Sequence, residues 1–212
     1  MKRQFAIASA GRTASTSLFQ TLVNALSTRH SVCPVWDFSP ADLLAEAYAG
    51  DRYDYVVAKG ETFHFLDLLR HSKHTTLILL TRHDQFRQVL SLLVSLRSGR
   101  FHSGPAASVL VKATPFRVER HEFLFAAHLV LMMEAHFASR SFAEFDQVER
   151  WTFEDLISDF PGHLQRLGLS APRPAQFRGV GYDTTTILNI DEVRAWAGDL
   201  TAEGLRVMEP AL

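Results

Sequence analysis

Short apolar runs alternate along the chain with longer segments of helical period. Residues 4–9 are an apolar run that fits a buried parallel strand. After a small polar turn, residues 15–27 carry Leu18, Leu22 and Leu26 at i, i+4 and i+8, one stripe of an amphipathic helix. A second strand is expected at 30–34. Residues 40–48 read as a helix with Ser39 as N-cap and Pro40 at the first helical position. Residues 53–58 read as a strand and 62–72 as a helix. The run TTLILLT at 75–81 is the most strand-like in the chain, β-branched at its start and apolar throughout. A helix at 85–96 follows, with Phe86, Val89, Leu90, Leu93 and Val94 on its inner side.

Residues 98–112 break the pattern. They contain Gly99, Gly104 and Pro105 and show no period, which predicts a long loop of the kind that is usually functional or disordered. Thr114-Pro115 opens a long helix running to about Arg140. A strand at 147–152, a helix at 153–167 stopped by Gly168, a connector at 170–174 and a last helix at 191–197 anchored by Trp196 complete the chain. Strand and helix alternate without repeats. An α/β fold is therefore expected, a three-layer sandwich with a central parallel sheet covered on both faces.

Composition narrows the function classes. The 212 residues suit a single domain, 1–212. Lys plus Arg is 22 against 23 Asp plus Glu, so no bulk basic field recruits nucleic acid. The single cysteine, Cys33, excludes an internal disulfide and a thiol-rich metal site. Among the ten histidines, His71 and His74 are close, and His121, His128 and His136 share a helix face. No carboxylate or thiol completes either set, so no metal is expected. The start, MKRQFAIASAG, imitates a signal peptide, but its apolar run is shorter than the ~7–15 residues an h-region uses. No stretch approaches the ~20 apolar residues of a membrane span. A cytoplasmic protein is expected.

Ligands of open α/β sheets bind where strands end and helices begin. The loop 11–17 lies at such a place. It offers Arg12, hydroxyls at Thr13, Ser15, Thr16 and Ser17, and small residues at Gly11 and Ala14. The start of a helix presents unpaired N–H groups and a positive partial charge, suited to phosphate or sulfate. Arginine binds such groups in a bidentate way. A plainer reading has Thr13 or Ser15 as a helix cap and Arg12 in solvent. Neither G-x-x-x-x-G-K-[ST] nor G-x-G-x-x-G is present, so the usual Mg-ATP cradle is missing.

The segment FAIASAGRTASTSLFQTL at 5–22 resembles the 5′-phosphosulfate loop of sulfotransferases that use 3′-phosphoadenosine 5′-phosphosulfate (PAPS). Arg12, Thr13, Ser15 and Thr16 fall on the ligand positions of that pattern, and Ala14 stands where the family usually has glycine. The segment LILLTRHDQFRQVLSLLVS at 77–95 resembles the family's 3′-phosphate site, with Arg82 at a strand end and Ser91 nine residues on, in the next helix. Its opening is most similar to bacterial carbohydrate and glycolipid sulfotransferases. The alternative for this segment pairs Arg82 with Asp84 and leaves Ser91 as a filler. VERWTFEDL at 148–156 and YDTTTILNIDEVRAW at 182–196 are fainter echoes, the latter of a segment that closes over the cofactor.

The resemblance implies a P-loop-like nucleotide-binding topology, PAPS as cofactor and a carbohydrate or glycolipid acceptor. It implies that Ser17 joins the loop ligands and that Arg178, Thr184 and Thr185 reach the adenosine. It places Lys59 near the sulfuryl group. The general base stays open among Glu61, His64 and Asp37, in the segments KGETFH and PVWDF. Two other classes also remain open, a nucleotide or polyol kinase with a degenerate loop and a non-catalytic nucleotide-binding module.

Overall fold

The structure, a computed structural model, describes residues 3–11, 13–36, 46–47, 52–60, 75–98, 114–169 and 184–201. Five strands form one parallel sheet: β1 (Arg3–Ser9), β2 (Val32–Trp36), β3 (Tyr55–Gly60), β4 (Thr75–Thr81) and β5 (Gln147–Thr152). Their order is β2-β3-β1-β4-β5. The described helices are α1 (Ser15–Ser27), α2 (Gln85–Ser98), α3 (Arg120–Ser139), α4 (Phe153–Ser158), α5 (Phe160–Arg166) and α6 (Ile190–Leu200). The expected α/β class, a central parallel sheet with flanking helices, is what the chain adopts.

The chain divides into two compact units. One comprises Met1–Thr81 and Arg140–Arg178, the other Arg82–Ser139 and Gly179–Leu212. The first holds the whole sheet. Phe5 and Ile7 of β1, Val57 of β3, Ile78 and Leu80 of β4 and Trp151 of β5 share a sheet face. On that face they pack against Leu18, Phe19, Leu22 and Leu26 of α1 and against Leu156, Phe160 and Leu164 of α4 and α5. The predicted leucine stripe of α1 is thus the seam that binds it to the sheet. Each such fully buried leucine contributes about 1.5–3 kcal/mol. The connection leaving β1 runs toward β2 at one edge, while the chain leaving β4 proceeds toward β5 at the other. In open α/β sheets ligands bind at such a reversal, outside the carboxyl ends of the strands.

The second unit is helical. Phe86, Val89, Leu90, Leu93 and Val94 of α2 meet Phe123, Ala126, Ala127 and Val130 of α3 and Val193, Ala197 and Leu200 of α6. Trp196 lies against Phe123, with ring centroids 6.2 Å apart.

Three local expectations are corrected. The helix expected to open at Thr114-Pro115 begins at Arg120. Phe116 instead forms a parallel bridge with Ile187, donating its N–H to the Thr186 carbonyl (2.9 Å) and accepting the Leu188 N–H (2.9 Å). Tertiary pairing overrides the helical pattern there. The Glu122 carboxylate then accepts the Glu119 N–H and marks the true start of α3. That bond, ahead of the Arg97 guanidinium, holds the Glu122 carboxyl below the usual range. The single helix expected at 153–167 is two helices. Pro161 has no N–H to donate to the preceding turn, the break falls at Asp159 (φ −144°, ψ 59°), and the Asp159 carboxylate caps the new start by accepting the Gly162 N–H (3.0 Å). Gly168 does end the second helix, at φ 70°. The second strand is displaced by two residues, to Val32–Trp36. The expected helices at 62–72 and most of 40–48, the loop 99–112 and the connector 170–174 lie outside the described residues.

A carboxylate ties the entries of β2 and β3. Asp54 Oδ2 accepts the Ser31 N–H and the Ser31 hydroxyl, both at 2.9 Å. These bonds, the backbone one first, hold the Asp54 carboxyl below the ordinary carboxylate value. The folded form is therefore favoured above that value, and the contribution is lost as pH falls below about 4 through the lowered one. Melting curves between about pH 2 and pH 5 are expected to show a shallower acid loss in Asp54→Asn than in the parent. Equal slopes would remove Asp54 from the acid transition.

Candidate functional site

At the carboxyl end of β1 the backbone turns twice through left-handed conformations, at Gly11 (φ 71°) and Ala14 (φ 62°, ψ 24°). Glycine adopts this region freely, whereas alanine pays about 1–2 kcal/mol. Ala14 is the N-terminal boundary residue of α1 and makes no side-chain cap hydrogen bond. Neither Thr13 nor Ser15 serves as the cap, which corrects the plainer expectation. Thr13 is instead fully buried, and its Oγ1 has no hydrogen-bond partner. Ser15 is buried, and Thr16 and Ser17 are half-buried. The Ser17 carbonyl accepts the Thr21 hydroxyl (2.8 Å), which commits it to the helix.

Strain at a non-glycine residue beside an anion-suited helix start is a mark of a functional turn. Ala14→Gly is expected to stabilise the protein by about 0.5–1 kcal/mol, the relieved strain less the added freedom of the unfolded chain. A chain of this length then melts about 1–4 °C higher, which a calorimetric scan reads. An unchanged or lower melting point would mean that the turn is not strained.

Lys59 lies on the next strand. It is fully buried, opposite Ile7 in the β1–β3 register and opposite Trp36 in the β2–β3 register. It thus shares the face of Ile7 and Val57, under α1. Its Nζ sits 5.6 Å from the centroid of the Trp36 ring, and that ring packs on Phe19 of α1 at 4.4 Å. A buried ammonium is costly unless anions or π-faces compensate it. Lys59 stands next to last on its strand, toward the end of the sheet where the loop begins.

Within this unit the fold brings together Thr13, Ala14, Ser15, Thr16, Ser17 and Lys59 at one end of the sheet. Arg12, Glu61, His64, Asp37 and Arg178 lie outside the described residues. Sequence reasoning missed Ser9, the last residue of β1, which is fully buried and whose Oγ has no hydrogen-bond partner. The available signal was a lone hydroxyl closing an apolar strand, two residues beyond Ile7 and so on the same face.

In the second unit Arg82 is half-buried ahead of α2. Ser91 is the seventh residue of that helix and buried, roughly 9 Å along its axis from Gln85. The Asp84 carboxylate accepts the Arg87 N–H (2.9 Å) and pairs with the Arg87 Nε (3.2 Å), opening the helix. Asp84 is thus used by Arg87, whatever else it meets. Thr184 and Thr185 lie in a short 3-10 turn, Thr184–Thr186, and Thr185 is exposed. The Asn189 side chain holds the adjoining segment by accepting the Val118 N–H (2.9 Å) and donating to the Val118 carbonyl (3.0 Å).

Among the described residues no three His, Cys, Asp or Glu side chains group as metal ligands, and no helix is long and apolar enough to cross a membrane. His128 binds its own helix, with Nδ1 2.8 Å from the Leu124 carbonyl.

No protein-family model matches the chain, and no curated protein matches it. A mouse sulfotransferase (SULT7A1) solved in complex with PAP is similar in fold. The TM-score is 0.55 at 11% identity, over 97% of this chain and 85% of that one. At this identity the likeness establishes the architecture, the P-loop-like α/β fold of sulfotransferases.

Proposed function

We propose that this protein is a sulfotransferase that moves the sulfuryl group of PAPS to an acceptor hydroxyl, on a carbohydrate or glycolipid. One observation carries the reading. A buried, unpartnered hydroxyl at Thr13 sits between two left-handed residues, Gly11 and Ala14, at the start of α1, in the same unit as the buried Lys59. Orphaned buried polar groups cost about 1–3 kcal/mol each and mark sites completed by a ligand. A tetrahedral oxyanion supplies the missing acceptors. The fold likeness to a sulfotransferase crystallised with PAP supports the same reading.

The residues take the following roles. The start of α1 and Arg12 bind the 5′-phosphate and neutralise the charge that grows on it as the S–O bond breaks. Thr13 and Thr16 donate to the bridging and sulfuryl oxygens, while Ala14, Ser15 and Ser17 bring backbone and hydroxyl groups close. Lys59 balances the sulfuryl charge. Arg82 and Ser91 hold the 3′-phosphate, and Arg178, Thr184 and Thr185 the adenosine. PAPS supplies an activated sulfuryl group, so the remaining tasks are positioning, charge stabilisation and proton removal. The acceptor oxygen bonds to sulfur as its proton passes to a base, with Glu61 ahead of His64 and Asp37 as the candidate.

Titration calorimetry tests the reading through the 3′-phosphate. Adenosine 3′,5′-bisphosphate is expected to bind at least tenfold more tightly than 5′-AMP, and Arg82→Ala to erase that preference. Equal affinities, or tighter binding of Mg-ATP, would point to the kinase alternative. Binding without transfer to any acceptor would leave a nucleotide-binding module.

A further inference from the structure

We infer that Ser9 is a ligand-binding residue, whose hydroxyl donates to the oxyanion seated at the start of α1. This assignment rests on the proposed function. Ser9 ends β1, immediately before the double turn. Phe5 and Ile7, at the same parity on β1, pack against α1, so Ser9 faces the layer in which the helix begins. It is wholly buried, and its Oγ meets no donor or acceptor. Serine is a poor choice for such a position, since alanine fills a strand without an unsatisfied hydroxyl.

Thr13 repeats the anomaly four residues on, in the loop itself. Ser9 and Lys59 are thus polar residues on the sheet face that packs against α1, and Thr13 lies in the loop between β1 and that helix. In the proposed site the three form a polar floor at the helix start. A hydroxyl can donate to one oxygen of a phosphate or sulfate and needs no second partner. The floor is the rigid part of the cradle, because it is built on strands. Such groups are held in place before the ligand arrives, at a cost to the stability of the free protein.

Ser9→Ala separates this role from a structural one. In the free protein the variant is expected to melt at the same temperature or higher, since an unmade hydrogen bond is removed and nothing is broken. Its affinity for adenosine 3′,5′-bisphosphate is expected to fall roughly tenfold or more, as for loss of a bond to a charged group. Its affinity for 3′-AMP, which carries no 5′-phosphate, is expected to be unchanged. Unchanged affinity for the bisphosphate, or equal losses for both nucleotides, overturns the assignment. If the alanine variant does not fold, Ser9→Cys, nearly isosteric but a weak donor, carries the same comparison. If the parent protein binds no nucleotide, the proposed function fails. Inorganic sulfate then decides Ser9 alone: weaker binding in the variant supports the assignment, and equal or absent binding overturns it.

Discussion

Lys59→Met is expected to depress PAPS turnover by about two orders of magnitude. Lys59 is fully buried near the end of β3, with its Nζ 5.6 Å from the centre of the Trp36 ring. A charge-assisted bond from its side chain to an oxyanion in a dry pocket is worth about 1.5–3 kcal/mol, and more as charge shifts in the transition state. Release of adenosine 3′,5′-bisphosphate, followed against a panel of phenol, sugar and glycolipid acceptors, reads the effect, and calorimetry checks that the variant is folded. Full activity in the folded variant would make Lys59 a packing residue.

Asn189→Ala is expected to lower stability by about 2–4 kcal/mol, and the melting temperature by roughly 4–15 °C. The Asn189 amide pairs with both the N–H and the carbonyl of Val118 and so extends, by a side chain, the short bridge between Phe116 and Ile187. Val118 and Asn189 are buried, so truncation strands two backbone groups away from water. Asn189→Asp keeps the acceptor for the Val118 N–H but cannot donate to the carbonyl, and is expected to recover only part of the loss. Chemical denaturation with a two-state fit gives the magnitude. A change below about 0.5 kcal/mol would mean that the clamp is not formed in solution.

Elements set by local periodicity were legible. The apolar runs at 75–81 and 147–152 and the leucine stripe at 15–27 give strand and helix with the expected bounds, because a buried parallel strand and a sheet-packed helix need only their own pattern. Where a distant partner decides, the pattern misled. Phe116 and Val118 sit just ahead of a helical period yet pair with residues some seventy positions away. Pro161 and Asp159 divide a run whose apolar spacing is continuous. The loop 11–17 was recognisable by its hydroxyls and small residues. Its left-handed turn at Ala14 and the orphaned Thr13 and Ser9 hydroxyls were not, because dihedral angles and missing partners belong to packing. Likewise Lys59 could be placed at a strand end from sequence, whereas its burial beneath α1 and its contact with Trp36 follow from the register of β2, β3 and β1.

A crystal structure of the complex with adenosine 3′,5′-bisphosphate tests the central claim most directly. Density for one nucleotide is expected with its 5′-phosphate at the start of α1, within hydrogen-bond reach of Thr13, and its 3′-phosphate against Arg82 and Ser91. A nucleotide bound elsewhere, or two phosphates held by separate molecules, would contradict it.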